Sequence, residues 1–202
     1  MKTLTKLAAT LALGTLTAIG SQAAVIDFDA HPNDFGTPIF DSGFTFDFVA
    51  AGWGVFGPGS GACCNVNYNG TTSMFADGNR DGNAYFVMTP TAGGTFSISS
   101  LDAAVYWVGA SGSIEITGYL HGGGTVSTTL GVGTTWGTFA LSGFNNLDSV
   151  MFRDTTSGAF LVAPGMGIDN INTTPVPEPE TYVLMLAGLA MVGLASRRAR
   201  RL

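Results

Sequence analysis

The side chains of this chain that could do chemistry are few and mostly oxygen donors. Asp77, Asn79 and Asp81 alternate through Asp77-Gly78-Asn79-Arg80-Asp81-Gly82-Asn83, which fits D-x-N-x-D-G, the first half of a calcium loop. Calcium takes about six to eight oxygen ligands, and carboxylates or amides at alternate positions around a glycine-permitted turn converge on one ion. The twelfth position is Met88 rather than a bidentate Glu, so an EF-hand is excluded, and the same residues also read as a tight turn. Trp53 and Tyr68 lie among Gly and Asn residues, where a ring could stack on the apolar face of a sugar or pack structurally. Trp107 and Trp136 sit among apolar neighbours and read as packing residues.

The other reactive types form no catalytic pattern. His31 precedes a proline in a turn and His121 opens the hairpin Gly122-Gly123-Gly124; neither has metal-ligand spacing. No G-x-S-x-G elbow occurs. Glu115 alternates with Ile114 and Ile116, which places it on an exposed strand position, although it could meet an Asp in space as a glycosidase-type carboxylate pair. The glycine-rich loops lack a following helix or a lysine for cradling phosphate. Cys63 and Cys64 are adjacent. Neighbouring Cα atoms lie about 3.8 Å apart and disulfides usually need about 4.4 Å or more, so a bond within the pair would be strained; free or intermolecular thiols are the alternatives.

Charge excludes one class of partner. Between residues 25 and 174 the basic residues are Arg80 and Arg153, against eleven Asp and Glu115. Such a body repels phosphate backbones and anionic surfaces, so nucleic acid is not a partner.

The elements that must position these residues are short strands. Period-two alternation recurs between Gly, Asn, Asp, Ser and Pro punctuation: Ile26 and Phe28 against Asp27 and Asp29, then Phe44, Phe46 and Phe48 against Thr45 and Asp47. Further runs occupy residues 84–89, 95–99, 103–108, 113–120, 125–130, 138–141, 149–153, 159–162 and 168–171. No convincing helical stripe interrupts them. The pattern predicts an all-β fold, an antiparallel β-sandwich or jelly roll. Residues 52–70, dense in glycine, form the longest expected loop, and residues 173–175 read as a linker.

Both ends of the chain carry addresses. Lys2 and Lys6 precede an apolar run over residues 7–19, followed by Ser21-Gln22-Ala23-Ala24, the pattern of a signal peptide cleaved after Ala23 or Ala24. At the other end come Pro177, Glu178 and Pro179, an apolar run over residues 182–195, and the basic Arg197, Arg198, Arg200 and Arg201. That run falls short of the roughly 20 residues that cross about 30 Å of hydrocarbon, so a permanent anchor would be thin. The arginines belong on the cytoplasmic side.

In its Pro-Glu-Pro, its Leu184-Met185-Leu186-Ala187-Gly188-Leu189 core, Gly193 and its arginine block, this tail resembles the PEP-CTERM sorting signal of exported proteins in Gram-negative bacteria that make extracellular polysaccharide. The resemblance implies an exosortase-type membrane protease as partner, cleavage near the Pro-Glu-Pro, and a hydrophobic sorting helix that enters the inner membrane transiently. Delivery would be to the cell surface, outer membrane or extracellular matrix. Ile114-Glu115-Ile116-Thr117-Gly118-Tyr119, Gly122-Gly123-Gly124, residues 144–152 and Ile168-Asp169-Asn170-Ile171 are similar to the β-sandwich passengers that precede such tails and to galactose-binding-like jelly rolls, whose final strand often ends in Asp-Asn. That similarity implies that the first and last strands lie near each other, so Asp27 or Asp29 with Asp169 could share a structural calcium ion; as strand residues they could equally face solvent.

The expected organisation is a signal peptide over residues 1–24, a β-sandwich body over 25–174 and a PEP-CTERM sorting signal over 175–202. The expected function is a secreted, non-enzymatic structural or binding module for extracellular polysaccharide, exported through Sec and signal peptidase. A secreted glycan hydrolase using a carboxylate pair is the alternative.

Overall fold

The computed structural model describes residues 24–31, 33–34, 38–48, 53–56, 67–78, 85–105, 111–155, 163–176, 187–189 and 191. In chain order the strands are β1 (Ala24–Ile26), β2 (Asn33–Asp34), β3 (Ile39–Asp41), β4 (Phe44–Phe48), β5 (Trp53–Phe56), β6 (Ser73–Gly78), β7 (Tyr85–Pro90), β8 (Thr95–Val105), β9 (Gly112–Leu120), β10 (Thr125–Val132), β11 (Gly137–Ala140), β12 (Leu147–Asp154) and β13 (Ala163–Val176). Every pairing is antiparallel. The fold class is therefore the all-β one that the alternation predicts.

Hydrogen bonding runs β2-β5-β6-β13-β8-β12-β7-β4-β3, with β1 on β13, β11 on β8, and β10 on β9, which flanks β12. The step from β8 to β12 rests on one residue pair, Leu147 with Phe96. It divides the strands into a first sheet around β13 and β8 and a second sheet, β10-β9-β12-β7-β4-β3. Alternate residues of both meet in one core: Ile26, Met74, Ile98, Leu101, Met166 and Ile171 from the first, and Phe44, Phe46, Phe86, Met88, Ile116 and Phe152 from the second. Within the second sheet Phe86 stacks on its cross-strand neighbour Phe152 at 4.6 Å between centroids and 17° between planes, and across the sheets Phe44 meets Phe96 edge-on at 5.1 Å. Burying a large apolar side chain contributes about 2–3 kcal/mol, which makes this inter-sheet layer the main stabilising feature.

Several expectations change here. Residues 95–99 and 103–108 were expected as separate strands, yet β8 runs unbroken through residues 95–105. Between Asp169/Asn172 and Asn172/Thr173 the β13–β8 register shifts twice. One bulge lies on each strand, so the apolar phase of β8 moves from Phe96 and Ile98 to Leu101, Ala103 and Val105. Asn170 takes up its bulge at φ 47°, a conformation that Asn tolerates better than most residues. Asp169-Asn170 thus lies within the last strand rather than at its end. Residues 173–175 are no linker: Thr173, Thr174, Pro175 and Val176 pair with Ile98, Ser97, Phe96 and Thr95. Residues 52–70 are not one loop either, because Trp53 opens β5 and pairs with Ala76.

Candidate functional site

The back of the first sheet, facing away from the sandwich core, carries the densest polar cluster. Along β13 the residues Met166, Ile168 and Ile171 join the core, so Gly167 and Asp169 point outward. Beside them, Ser73 and Phe75 of β6 and Asp102 of β8 share that face by alternation. The segment that follows the undescribed residues 57–66 closes over it. Asn67 donates from Nδ2 to the Thr134 carbonyl at 2.7 Å and the Val105 carbonyl at 3.2 Å. Trp136 Nε1 donates to the Asn67 carbonyl at 2.8 Å. Phe75 lies at the centre, edge-on to Tyr68 at 5.9 Å and to Trp136 at 6.1 Å.

Under this cover Asp169 is fully buried. Its Oδ2 accepts from Asn69 Nδ2 at 2.5 Å, Thr71 Oγ1 at 3.1 Å and Ser73 Oγ at 3.5 Å, and its Oδ1 accepts from the Asn170 amide at 2.7 Å. Burial pushes the carboxyl up to about 6, against the lowering effect of the Asn69, Asn170 and Thr71 donors and with help from nearby Asp29. Asp29 is held by its own turn. Phe28 is buried at φ 55°, the Asp29 amide donates to Asp27 Oδ1 at 3.2 Å, and Asp29 Oδ1 accepts from the Thr72 amide at 3.0 Å. Asp102 completes the row, accepting from Asn170 Nδ2 at 2.9 Å and Thr138 Oγ1 at 2.5 Å.

The arrangement bears directly on a cation. Asp29 and Asp169 do approach each other, as the pairing of β1 with β13 requires. Among the described residues, however, no three His, Cys, Asp or Glu side chains converge. The Asp169 carboxylate is also met by N–H and O–H donors, so its charge is answered by hydrogen bonds. As arranged, these residues fit a satisfied buried carboxyl better than a calcium ligand set, which would need Asn69 to turn its oxygen inward.

The outer face of the second sheet is partly exposed among the described residues. Phe86, Ile114, Ile116, Val150 and Phe152 point to the core, so Tyr85, Glu115, Thr117, Tyr119, Met151 and Arg153 face outward. Register places Tyr85 opposite Arg153 and Arg153 opposite Glu115. Arg153 donates to Glu115 Oε2 from Nε at 2.8 Å and also from Nη2, with both side chains about a third exposed. Tyr119 lies farther along β9 on the same face, roughly 16 Å from Tyr85 by strand rise and spacing. Glu115 was expected as an exposed strand residue; the ion pair is the feature that sequence reading missed, because cross-strand register is not local information.

Of the two aromatic candidates, Tyr68 is half-buried and packs on Phe75, and Trp53 lies in a strand rather than a loop. Trp136 is a packing residue, as expected. Asp77 belongs to β6, while Asn79, Asp81, Cys63, Cys64 and Trp107 lie outside the described residues. So do Pro177, Glu178, Pro179, Arg197, Arg198, Arg200 and Arg201. In the tail, residues 187–189 and 191 are helical. Among the described residues no helix is long and apolar enough to cross a membrane. His121 Nδ1, on the hairpin between β9 and β10, lies 2.8 Å from Asp148 Oδ1 of β12, with both side chains exposed.

Residues 175–201 match the PEP-CTERM protein-sorting motif. No curated protein matches the chain. Among solved structures, a carbohydrate-binding module of family 29 is 14% identical, covering 77% of this chain and 90% of its own at a TM-score of 0.48. A family 29 module complexed with cellulohexaose is 13% identical, covering 77% and 92% at 0.48.

Proposed function

We propose that this protein is an exported surface or matrix module that holds extracellular polysaccharide on the outer face of its second sheet. The observation that carries the reading is the part-exposed row Tyr85–Arg153–Glu115 on the outer sheet face, with Tyr119 beyond it. A phenol ring offers an apolar face to a pyranose, and a guanidinium–carboxylate pair offers donors and acceptors to neighbouring hydroxyls without net charge. The sorting motif supports the export half of the reading, in which an exosortase-type protease recognises and removes the tail and the body is released to the cell surface. Signal peptidase would remove the leader. Cleavage after Ala23 keeps Ala24, whose carbonyl accepts from Thr173 Oγ1 at 3.1 Å.

Affinity electrophoresis of the mature protein through gels containing soluble glycans tests this. Retarded migration without product formation is expected, with Tyr85→Ala weakening the affinity about tenfold. Turnover abolished by a single carboxylate change would establish the hydrolase alternative, and migration unaffected by every glycan would remove the binding reading.

A structural calcium ion between Asp27 or Asp29 and Asp169, which requires Asn69 to turn its amide oxygen inward, is a second proposal. It predicts that millimolar calcium raises the melting temperature and that chelator reverses the rise. An unchanged melting temperature in both would eliminate it, together with the loop of Asp77, Asn79 and Asp81.

A further inference from the structure

Both ends of the body leave the sandwich at one place. Ala24, the first residue of β1, pairs with Thr173, and Val176, the last of β13, pairs with Thr95. The residues to which the leader and the sorting tail are attached therefore lie side by side. In sequence, five residues lie between Val176 and the start of the apolar run at Tyr182, and four lie between Ile19, at the end of the leader's run, and Ala24. At about 3.5 Å per residue neither connection exceeds roughly 20 Å.

Two independent features of this end agree. Its connections among the described residues are 42–43, 91–94, 121–124 and 141–146, joining β3 to β4, β7 to β8, β9 to β10 and β11 to β12. They read Ser-Gly, Thr-Ala-Gly-Gly, His-Gly-Gly-Gly and Leu-Ser-Gly-Phe-Asn-Asn. None contains Asp, Glu, Lys or Arg, although the body as a whole is strongly acidic; of the acids that flank them, Asp41 is largely covered and Asp148 is paired with His121. The exposed large apolar side chains described in the body are Val25, Phe40 and Tyr119. Each lies within two residues of this end: Val25 follows Ala24, Phe40 precedes Asp41 and the turn 42–43, and Tyr119 precedes Leu120 and the turn 121–124.

From this placement we infer that the end bearing Ala24, Val176 and these four turns is the surface by which the body rests on the lipid bilayer while the sorting tail is attached. Uncharged turns avoid the repulsion that an acidic surface meets at anionic headgroups, and scattered Val, Phe and Tyr side chains suit the headgroup boundary. The inference rests on the sorting reading, which puts the tail's apolar run in the membrane.

The test uses the tail-intact full chain from cells lacking the sorting protease, reconstituted in phosphatidylethanolamine and phosphatidylglycerol vesicles. With Cys63→Ser and Cys64→Ser removing native thiols, an environment-sensitive fluorophore is placed by Ala92→Cys or Ser142→Cys at this end, or by Thr135→Cys in the turn at the opposite end. Quenching by nitroxide-bearing lipid should be several-fold stronger at 92 and 142 than at 135, which lies beyond a β8 roughly 30 Å long. Equal quenching at all three positions in protein that sediments with the vesicles would overturn the docking surface and leave the sorting reading standing. Failure to sediment would overturn both.

Discussion

As the pH rises from about 4 to about 6.5, the folded body is expected to lose up to about 3 kcal/mol of stability through Asp169 alone. Its carboxyl is raised from 3.8 to about 6 in the folded chain. An acid that holds its proton more tightly when folded is favourable while protonated, so stability is highest below the unfolded value. It falls as the pH passes through the folded value and is level above it. Denaturant melts of the wild type and of Asp169→Asn across this range isolate the effect, because the variant keeps the shape of the side chain and does not titrate. The difference between the two should drift steadily in the Asn variant's favour as the pH rises. Parallel profiles would show that the buried carboxyl is not desolvated as its position implies. Repeating the series in calcium separates a bound ion from a bare carboxyl, since a cation beside Asp169 would hold its proton off and remove the slope.

Gly167→Ala is expected to destabilise the protein by about 2–3 kcal/mol and to lower its melting temperature by about 5–10 °C. A Cβ at this position would stand 2.6 Å from Phe75 Cε1 and 2.9 Å from Trp136 Cζ2 and Cη2. Neither ring can give way cheaply. Phe75 is fully buried between Tyr68 and Trp136, and Trp136 is held by its hydrogen bond to the Asn67 carbonyl. Gly131→Ala is the matched control, because a Cβ there meets nothing within 4 Å. Equal melting temperatures for the two variants would mean that the aromatic cover on the back of the first sheet is not close-packed. A shift in tryptophan emission confined to Gly167→Ala would place the disturbance at Trp136.

Where one face of a strand is buried and the other wet, the chain announces itself. Phe44, Phe46 and Phe48 alternate with Thr45 and Asp47, and β4 spans those five residues. The Gly122-Gly123-Gly124 hairpin is equally plain, with all three glycines at positive φ. Legibility fails where both faces are buried. Ser73-Met74-Phe75 shows no alternation because Met74 enters the sandwich core while Ser73 and Phe75 are covered on the back. It fails again at β8, where bulges shift the apolar phase and imitate the end of a strand. Asp169 was legible as a candidate, but its neighbours were not: Asn69, Thr71 and Ser73 are some 100 residues away in sequence. The Arg153–Glu115 pair depends on cross-strand register in the same way.

The last strand has a mechanical consequence. β13 lies inside its sheet, with β8 along one edge and β6 and β1 along the other. A pull on Val176 directed outward along β13 acts along the strand axis. It loads the hydrogen bonds of three antiparallel partners together rather than opening them one after another. A tail attached to an edge hairpin would peel; this one shears. While the tail is held, a tug on the body is therefore borne by the most extensively paired strand of the sandwich.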